Sequence, residues 1–186
     1  MDLNDKAQWF KDFNGGMVPI LEFPNGDLIP ESNIAAEYAL QVAGTDQGIK
    51  LIPDDPVQAC HMRAKIVEFN SKLGKFWPLV GTRFGDMEVI DTYVTELVPW
   101  YEQIIEQGGE GKWLMGTDDL TLLDVYVGAL WDMYYVYLYK SPAEMAEAGA
   151  RANLAVTSPK WVAYMDRLRA HPKIAPVCMN LEAAAK

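Results

Sequence analysis

The sequence predicts a mainly helical protein in two parts, a short N-terminal part that contains a β-hairpin and a larger part built only of helices. The turn sequence Pro24-Asn25-Gly26-Asp27 separates two short runs with strand propensity. Beyond residue 56, apolar residues recur mostly at helical spacing. Glycine, proline and aspartate are concentrated between the two regions. We therefore expect domains over residues 1–46 and 57–186, joined by a linker over 47–56.

The N-terminal part is predicted to begin with a short helix over residues 5–13, which Asn14-Gly15-Gly16 ends. Asn-Gly favours the positive φ angles of a tight turn, so residues 18–23 and 27–29 are expected to pair antiparallel. A second helix follows from Asn33 to Val42. Its predicted apolar face consists of Ile34, Ala35, Tyr38 and Val42.

Glu31 and Ser32 lie at the start of this second helix, and two interpretations apply to them. Such residues commonly cap a helix. The unpaired N–H groups of a helix N-terminus also attract a carboxylate ligand, and the Glu31 carboxylate would suit an ammonium group. The pair would then hold an α-amino acid by both of its charges.

The larger part is predicted to consist of five helices with mostly apolar inward faces. Their ranges are 57–75, 84–107, 121–140, 142–155 and 159–170. The second of these helices is expected to start at Phe84 or Asp86 and to have a bend or a junction at Pro99. On the first, the predicted inward residues are Cys60, Ala64, Ile66, Val67 and Leu73. On the third, Thr121 and Asp124 are expected to form a capping box at a solvated end. The apolar run 120–139 contains Asp124 and Asp132, which favours a buried central helix over a membrane span.

The composition excludes some classes of binding partner and indicates the kind of cellular compartment. The net charge is −10 and the isoelectric point is near 4.6, which argues against nucleic acid or an anionic membrane surface as a general partner. Two cysteines and two histidines lack metal-ligand spacing, so neither a metal site nor a disulfide framework is expected. A reducing compartment such as the cytoplasm is expected, and the first ten residues show no targeting signal.

The order of hairpin, helix, proline-rich linker and helical bundle resembles the cytosolic glutathione transferases, and the omega class in particular. The resemblance extends over essentially the whole chain. The residues that carry it are Lys6-Ala7-Gln8-Trp9-Phe10, Val18-Pro19-Ile20-Leu21-Glu22, Glu31-Ser32, Ala36-Glu37-Tyr38, residues 50–56 and Thr121-Leu122-Leu123-Asp124. It implies a partial thioredoxin-like remnant followed by the all-helical C-terminal domain of that family.

The resemblance also implies how glutathione, as a substrate, would be bound. The backbone of Val18, before a cis Pro19, would face the cysteinyl part. Glu31 and Ser32 would hold the γ-glutamyl ammonium and carboxylate, and Lys6 would reach the glycine carboxylate. Several aromatic residues either form the core or line a co-substrate pocket, the set being Trp77, Trp113, Trp131, Tyr134 and Tyr135.

In this family the catalytic cysteine or hydroxyl belongs to a strand–helix–strand unit that precedes the matched segments, so no catalytic residue is expected in this chain. Cys60 is expected in the core, and Cys178 is expected to be a buried or surface thiol. Two functions follow. One is a glutathione-dependent transferase or thiol transferase, with the family's usual homodimer. The other is a non-catalytic subunit of a larger protein assembly.

Overall fold

A computed structural model describes residues 5–43, 50–73, 86–140 and 143–178. The chain divides into two compact units, Met1–Lys50 and Leu51–Lys186, named here the N-terminal unit and the helical unit. Residues 47–49 of the predicted linker, the aromatic residue Trp77 and the final residues 179–186 lie outside the described ranges.

The N-terminal unit contains two helices and a hairpin. Its elements are α1 (Gln8–Asn14), β1 (Ile20–Glu22), β2 (Leu28–Pro30) and α2 (Ser32–Ala43). The predicted hairpin is confirmed, because β1 and β2 pair antiparallel with Ile20 opposite Pro30 and Glu22 opposite Leu28. The Phe23 N–H donates to the Asp27 carbonyl over 2.9 Å and closes the turn. The predicted end of α1 is also confirmed, since Gly15 adopts a left-handed conformation there.

The apolar face predicted for α2 is only partly covered. Tyr38 packs edge-on against Phe23 of the hairpin, with ring centroids 4.7 Å apart. Ile34 and Val42, predicted on the same face, are 44% and 67% exposed. Two strands of three residues are too short to cover a helix of 12 residues along its whole length.

The helical unit consists of α-helices interrupted by short turns of other helix types. The α-helices are α3 (Pro56–Leu73), α4 (Met87–Thr92), α5 (Val98–Gly108), α6 (Leu122–Tyr134), α7 (Ala146–Ala152), α8 (Leu154–Thr157) and α9 (Pro159–Ala170). The π-helical turns are Tyr93–Leu97 and Tyr135–Lys140, and the 3₁₀ turns are Ala143–Met145 and Ala175–Val177.

Three predicted helices change course inside their predicted ranges. A π-helical turn precedes α5, and Pro99 lies in the first turn of α5, where its missing N–H costs no hydrogen bond. A second π-helical turn continues α6. The helix predicted over 142–155 is divided at Asn153, which has a φ of +43°. The prediction for residues 159–170 is confirmed by α9.

The core of the helical unit lies around α6, which confirms its prediction as a buried central helix. Val127, Trp131 and Tyr134 have no exposed surface. The N-terminal N–H of α6, on Leu122, donates to the Leu51 carbonyl over 2.7 Å and so ties the start of the unit to this helix. Within the described ranges, no helix combines the length and the apolar character needed to cross a bilayer.

The inward face predicted for α3 is wrong at three positions. Cys60, Ala64 and Val67 are exposed, whereas Ile66 and Leu73 are buried as expected. The buried stripe of α3 consists of Ala59, Met62, Ile66, Phe69 and Leu73. This stripe has regular helical spacing and includes the bulky Met62 and Phe69, whose burial stabilises the helix more than burial of a cysteine or an alanine.

Candidate functional site

The residues predicted to bind glutathione lie at the open end of the hairpin, opposite its turn. Ile20 pairs with Pro30 at this end. Beyond this last pair, the next residues along the chain are Pro19 and Val18 on one side and Glu31 and Ser32 on the other. One antiparallel pairing therefore brings together two segments that are about a dozen residues apart in the sequence.

Glu31 has an uncommon backbone conformation for a residue with a side chain. Its φ is +84°, in the region that favours glycine. Its carbonyl accepts the N–H of Ala35 over 3.0 Å, so Glu31 is the residue from which α2 starts. The first N–H groups of α2 lack partners within the helix and carry its positive dipole end. A carboxylate ligand would be stabilised there, next to the hydroxyl of Ser32.

Val18 and Lys6 belong to the part of the chain that precedes β1. The peptide bond between Val18 and Pro19 is cis, as the resemblance implies, and Val18 is 56% exposed. Lys6 donates a hydrogen bond from Nζ to the Gly16 carbonyl, so its ammonium group is held close to the segment that leads into β1. An ammonium group has three N–H donors, and this bond uses one of them.

The aromatic residues considered for a co-substrate pocket lie in the core of the helical unit. Trp131 and Tyr134 have no exposed surface, and Tyr135 is 3% exposed. Trp131 packs against Tyr101 with ring centroids 4.4 Å apart. Trp113 is also buried. In this structure these side chains are core residues.

The two cysteines lie in different surroundings. Cys60 is exposed on α3, which corrects its prediction as a core residue. Cys178 is half-buried, and burial raises the pKa of its thiol; Asp132 adds to this rise, and Arg169 opposes it. A nucleophilic cysteine requires a lowered pKa. Among the described residues there is also no cluster of three side chains suited to a metal ion.

The chain is similar to three curated mammalian proteins with one name, glutathione S-transferase omega-1. The protein of Sus scrofa is 40% identical over 75 residues, 39% of this chain and 29% of the relative. Those of Mus musculus and Rattus norvegicus are 37% identical over 71 residues and 45% identical over 62 residues. The two matches cover 38% and 32% of this chain, and 28% and 24% of the respective relatives.

Over this matched segment the chain is similar to omega-class glutathione transferases. Its matched segment spans less than a third of the length of each of these relatives. No family model matches the chain. The two-stranded sheet with its helices, and the mostly helical second unit, confirm the predicted fold class of a thioredoxin-like remnant followed by a glutathione-transferase helical domain.

Sequence reasoning missed a buried polar network around Asp124 in the helical unit. The capping box of Thr121 and Asp124 is confirmed, but it is buried rather than solvated. One Asp124 oxygen accepts from the Thr121 N–H and hydroxyl over 2.8 and 2.7 Å. The other accepts from the Leu114 N–H over 2.8 Å and the Tyr164 hydroxyl over 2.6 Å. No local signal could predict the last two partners, which are 10 and 40 residues away.

Proposed function

We propose that the N-terminal unit binds glutathione, and that the whole protein is a glutathione-dependent transferase or thiol transferase of omega type. The observation that supports this best is the left-handed Glu31 at the start of α2, directly after the strand β2. Strained residues of this kind cost about 1–3 kcal/mol and are concentrated at ligand-binding positions. A helix cap alone does not require this conformation at Glu31.

The charges at the hairpin end match those of the γ-glutamyl group. Ser32 and the N-terminal N–H groups of α2 would hold the carboxylate, and the Glu31 carboxylate would hold the ammonium. Val18 would offer its backbone to the cysteinyl part, as in two-strand pairing. Lys6, already fixed to Gly16, would reach the glycine carboxylate with a remaining N–H.

Turnover requires a group that stabilises the glutathione thiolate, and Cys60 and Cys178 both belong to the helical unit. We therefore assign glutathione recognition to the described hairpin, and conjugation or thiol transfer to the whole protein. Both cysteines are free thiols, which fits a reducing compartment such as the cytoplasm. A homodimer, as in the family that the sequence resembles, is part of the same proposal.

A second candidate function is that of an assembly subunit, and the apolar surface of the N-terminal unit favours it. Among the described residues of this unit, the buried apolar core consists of Phe10. Seven large apolar side chains are exposed there, namely Trp9, Phe13, Met17, Val18, Ile29, Ile34 and Val42. A surface of this kind is typical of a protein–protein contact.

The test is a titration of the full chain with glutathione, followed by amide NMR shifts in the hairpin and α2. Glu31→Ala and Ser32→Ala should each weaken binding about tenfold, which corresponds to the loss of one charge-assisted hydrogen bond. Glu22→Ala is the matched control, because Glu22 is an exposed carboxylate next to the turn of the same hairpin. Its affinity should equal that of the wild type.

Two outcomes would count against glutathione recognition. In the first, glutathione shifts no signal of the hairpin. In the second, Glu22→Ala weakens binding as much as Glu31→Ala, so that the effect is only one of net charge. Native mass spectrometry of the endogenous protein tests the second function. That function predicts co-purifying subunits whose association is unchanged by the combined Glu31→Ala and Ser32→Ala substitutions.

A further inference from the structure

The helical unit contains a cavity of about 500 Å³ that the proposed function does not use. It lies between the end of α5, the loop that follows α5, and α9. Apolar wall is contributed by Ile105 of α5 and by Ala163 and the ring of Tyr164 on α9. This volume is in the range of cavities that bind small organic molecules.

Arg167 of α9 lines this cavity and carries an uncompensated charge. Its guanidinium group lies over the Trp113 ring, 4.2 Å from the centroid, and donates to the Lys112 carbonyl. Its Nε atom is buried and has no hydrogen-bond partner. Within the described part of the chain, Arg167 forms no ion pair with a carboxylate. Partly buried charges are normally paired, so this cation indicates an anionic ligand.

The nearby carboxylate of Asp124 is not free to serve as the partner of Arg167. Asp124 already accepts four hydrogen bonds, two on each oxygen. A carboxylate has about four lone-pair positions, and these bonds occupy them. Tyr164, which lines the cavity, donates one of the four from its hydroxyl. The charge of Arg167 therefore remains available to a ligand.

Two lysines extend the positive side of the cavity. Lys112 pairs with Asp118 and Lys160 pairs with Glu106, in both cases between exposed side chains. Such surface pairs contribute little to stability, so either ammonium group can turn towards a bound anion. The chain as a whole has a net charge of −10, whereas this cavity is lined by three cationic side chains and by two carboxylates, Glu106 and Glu110.

We propose that this cavity binds a small organic anion, with Arg167 holding its carboxylate or phosphate group and Ile105 and Ala163 contacting its apolar body. The planar guanidinium group of arginine suits either kind of anion. The site is separate from the hairpin, and its ligand is separate from glutathione. Binding here does not depend on the proposed function of the N-terminal unit.

The test is NMR of the full chain with the arginine Nε–H and tryptophan indole signals as reporters. The probes are benzoate and phenyl phosphate, with benzyl alcohol as the neutral analogue. Both anions, or one of them, should shift the Arg167 and Trp113 signals to saturation, and their relative affinities identify the preferred head group. Benzyl alcohol should bind at least about tenfold more weakly, because it cannot form charge-assisted hydrogen bonds.

Substitutions distinguish the cavity from unspecific attraction of anions. Arg167→Gln should weaken binding about tenfold or more. Arg151→Gln is the matched control, because Arg151 is an exposed arginine that pairs with Asp91, and its affinity should be unchanged. Ala163→Phe fills the cavity from an exposed position on α9 without altering its charge and should abolish binding, even if Arg167→Gln does not fold. Unshifted reporters, equal binding of benzyl alcohol, or full affinity of Ala163→Phe would overturn the proposal.

Discussion

Replacement of Glu31 by glycine and by alanine should change stability and glutathione affinity in different ways. Both substitutions remove the carboxylate, so both should weaken glutathione binding about tenfold, the loss of one charge-assisted hydrogen bond. Glycine adopts the φ of +84° without steric cost, whereas alanine retains the conflict that Glu31 has in the wild type. The comparison of the two variants therefore isolates the backbone contribution.

The expected magnitude follows from two opposing effects. A residue with a Cβ in the left-handed region costs roughly 1–2 kcal/mol. Glycine relieves this cost, but it increases the entropy of the unfolded chain, which offsets roughly 0.5–1 kcal/mol. Glu31→Gly should thus be more stable than Glu31→Ala by about 0.5–1 kcal/mol. The Gly variant should bind glutathione no better than the Ala variant, despite its higher stability.

Amide hydrogen exchange of α2 measures the stability difference locally, because α2 begins at Ser32, directly after the substituted residue. The glutathione titration measures the affinity. Equal protection of α2 in the two variants would show that Glu31 is not strained, and the reasoning from its conformation would fail. Wild-type affinity of Glu31→Gly would show that the carboxylate does not hold the ligand.

Three further predictions concern the helical unit. Asp124→Ala should lower the free energy of unfolding, measured by urea denaturation, by about 3 kcal/mol or more, because it leaves buried donors unpaired. Asp119→Ala, which replaces an exposed carboxylate, should change the same free energy by less than about 0.5 kcal/mol. Alkylation followed by mass spectrometry should label exposed Cys60 before Cys178, whose thiol pKa is raised by burial; the reverse order would contradict the structure. Buried tyrosines with raised pKa values stay protonated in the folded state above a pH of about 10, where the tyrosines of the unfolded chain ionise. The free energy of unfolding should therefore fall as the pH rises beyond that value. Absorbance measured at high pH should show ionisation of these tyrosines only together with unfolding. These residues are Tyr93, Tyr101, Tyr134 and Tyr164.

The elements that sequence reasoning predicted well have short-range signals. The Asn25-Gly26 turn fixes the hairpin, Thr121 and Asp124 fix the start of α6, and Pro159 lies at the start of α9. Each signal acts within four residues, so it can be recognised in the sequence without knowledge of the tertiary structure.

The features that sequence reasoning missed depend on partners or on small changes of period. The exposed Cys60 lies one position from Ala59 of the buried stripe, and apolar residues occur on both sides of α3. A π-helical turn differs from an α-helical turn by less than one residue per turn. In segments of five or six residues, such as Tyr93–Leu97, the spacing of apolar residues therefore does not distinguish the two helix types.

Local signals likewise predicted only part of the candidate sites. The start of α2 at Glu31-Ser32 was predicted, but glutamate gives no sign that it adopts a positive φ. The cavity at Arg167 depends on α5 and α9, which are about 50 residues apart in the sequence, and only folding brings them together.

Under the proposed function, the register of the hairpin gives the turn at Pro24–Asp27 an influence on glutathione recognition at the opposite end. Three residue pairs separate Pro19 and Glu31 from the turn. One residue inserted into the turn would shift every pair by one position and would move side chains to the other side of the sheet. Under the proposed function, the length of the turn therefore sets the relative positions of the residues that would contact glutathione at the opposite end of the hairpin.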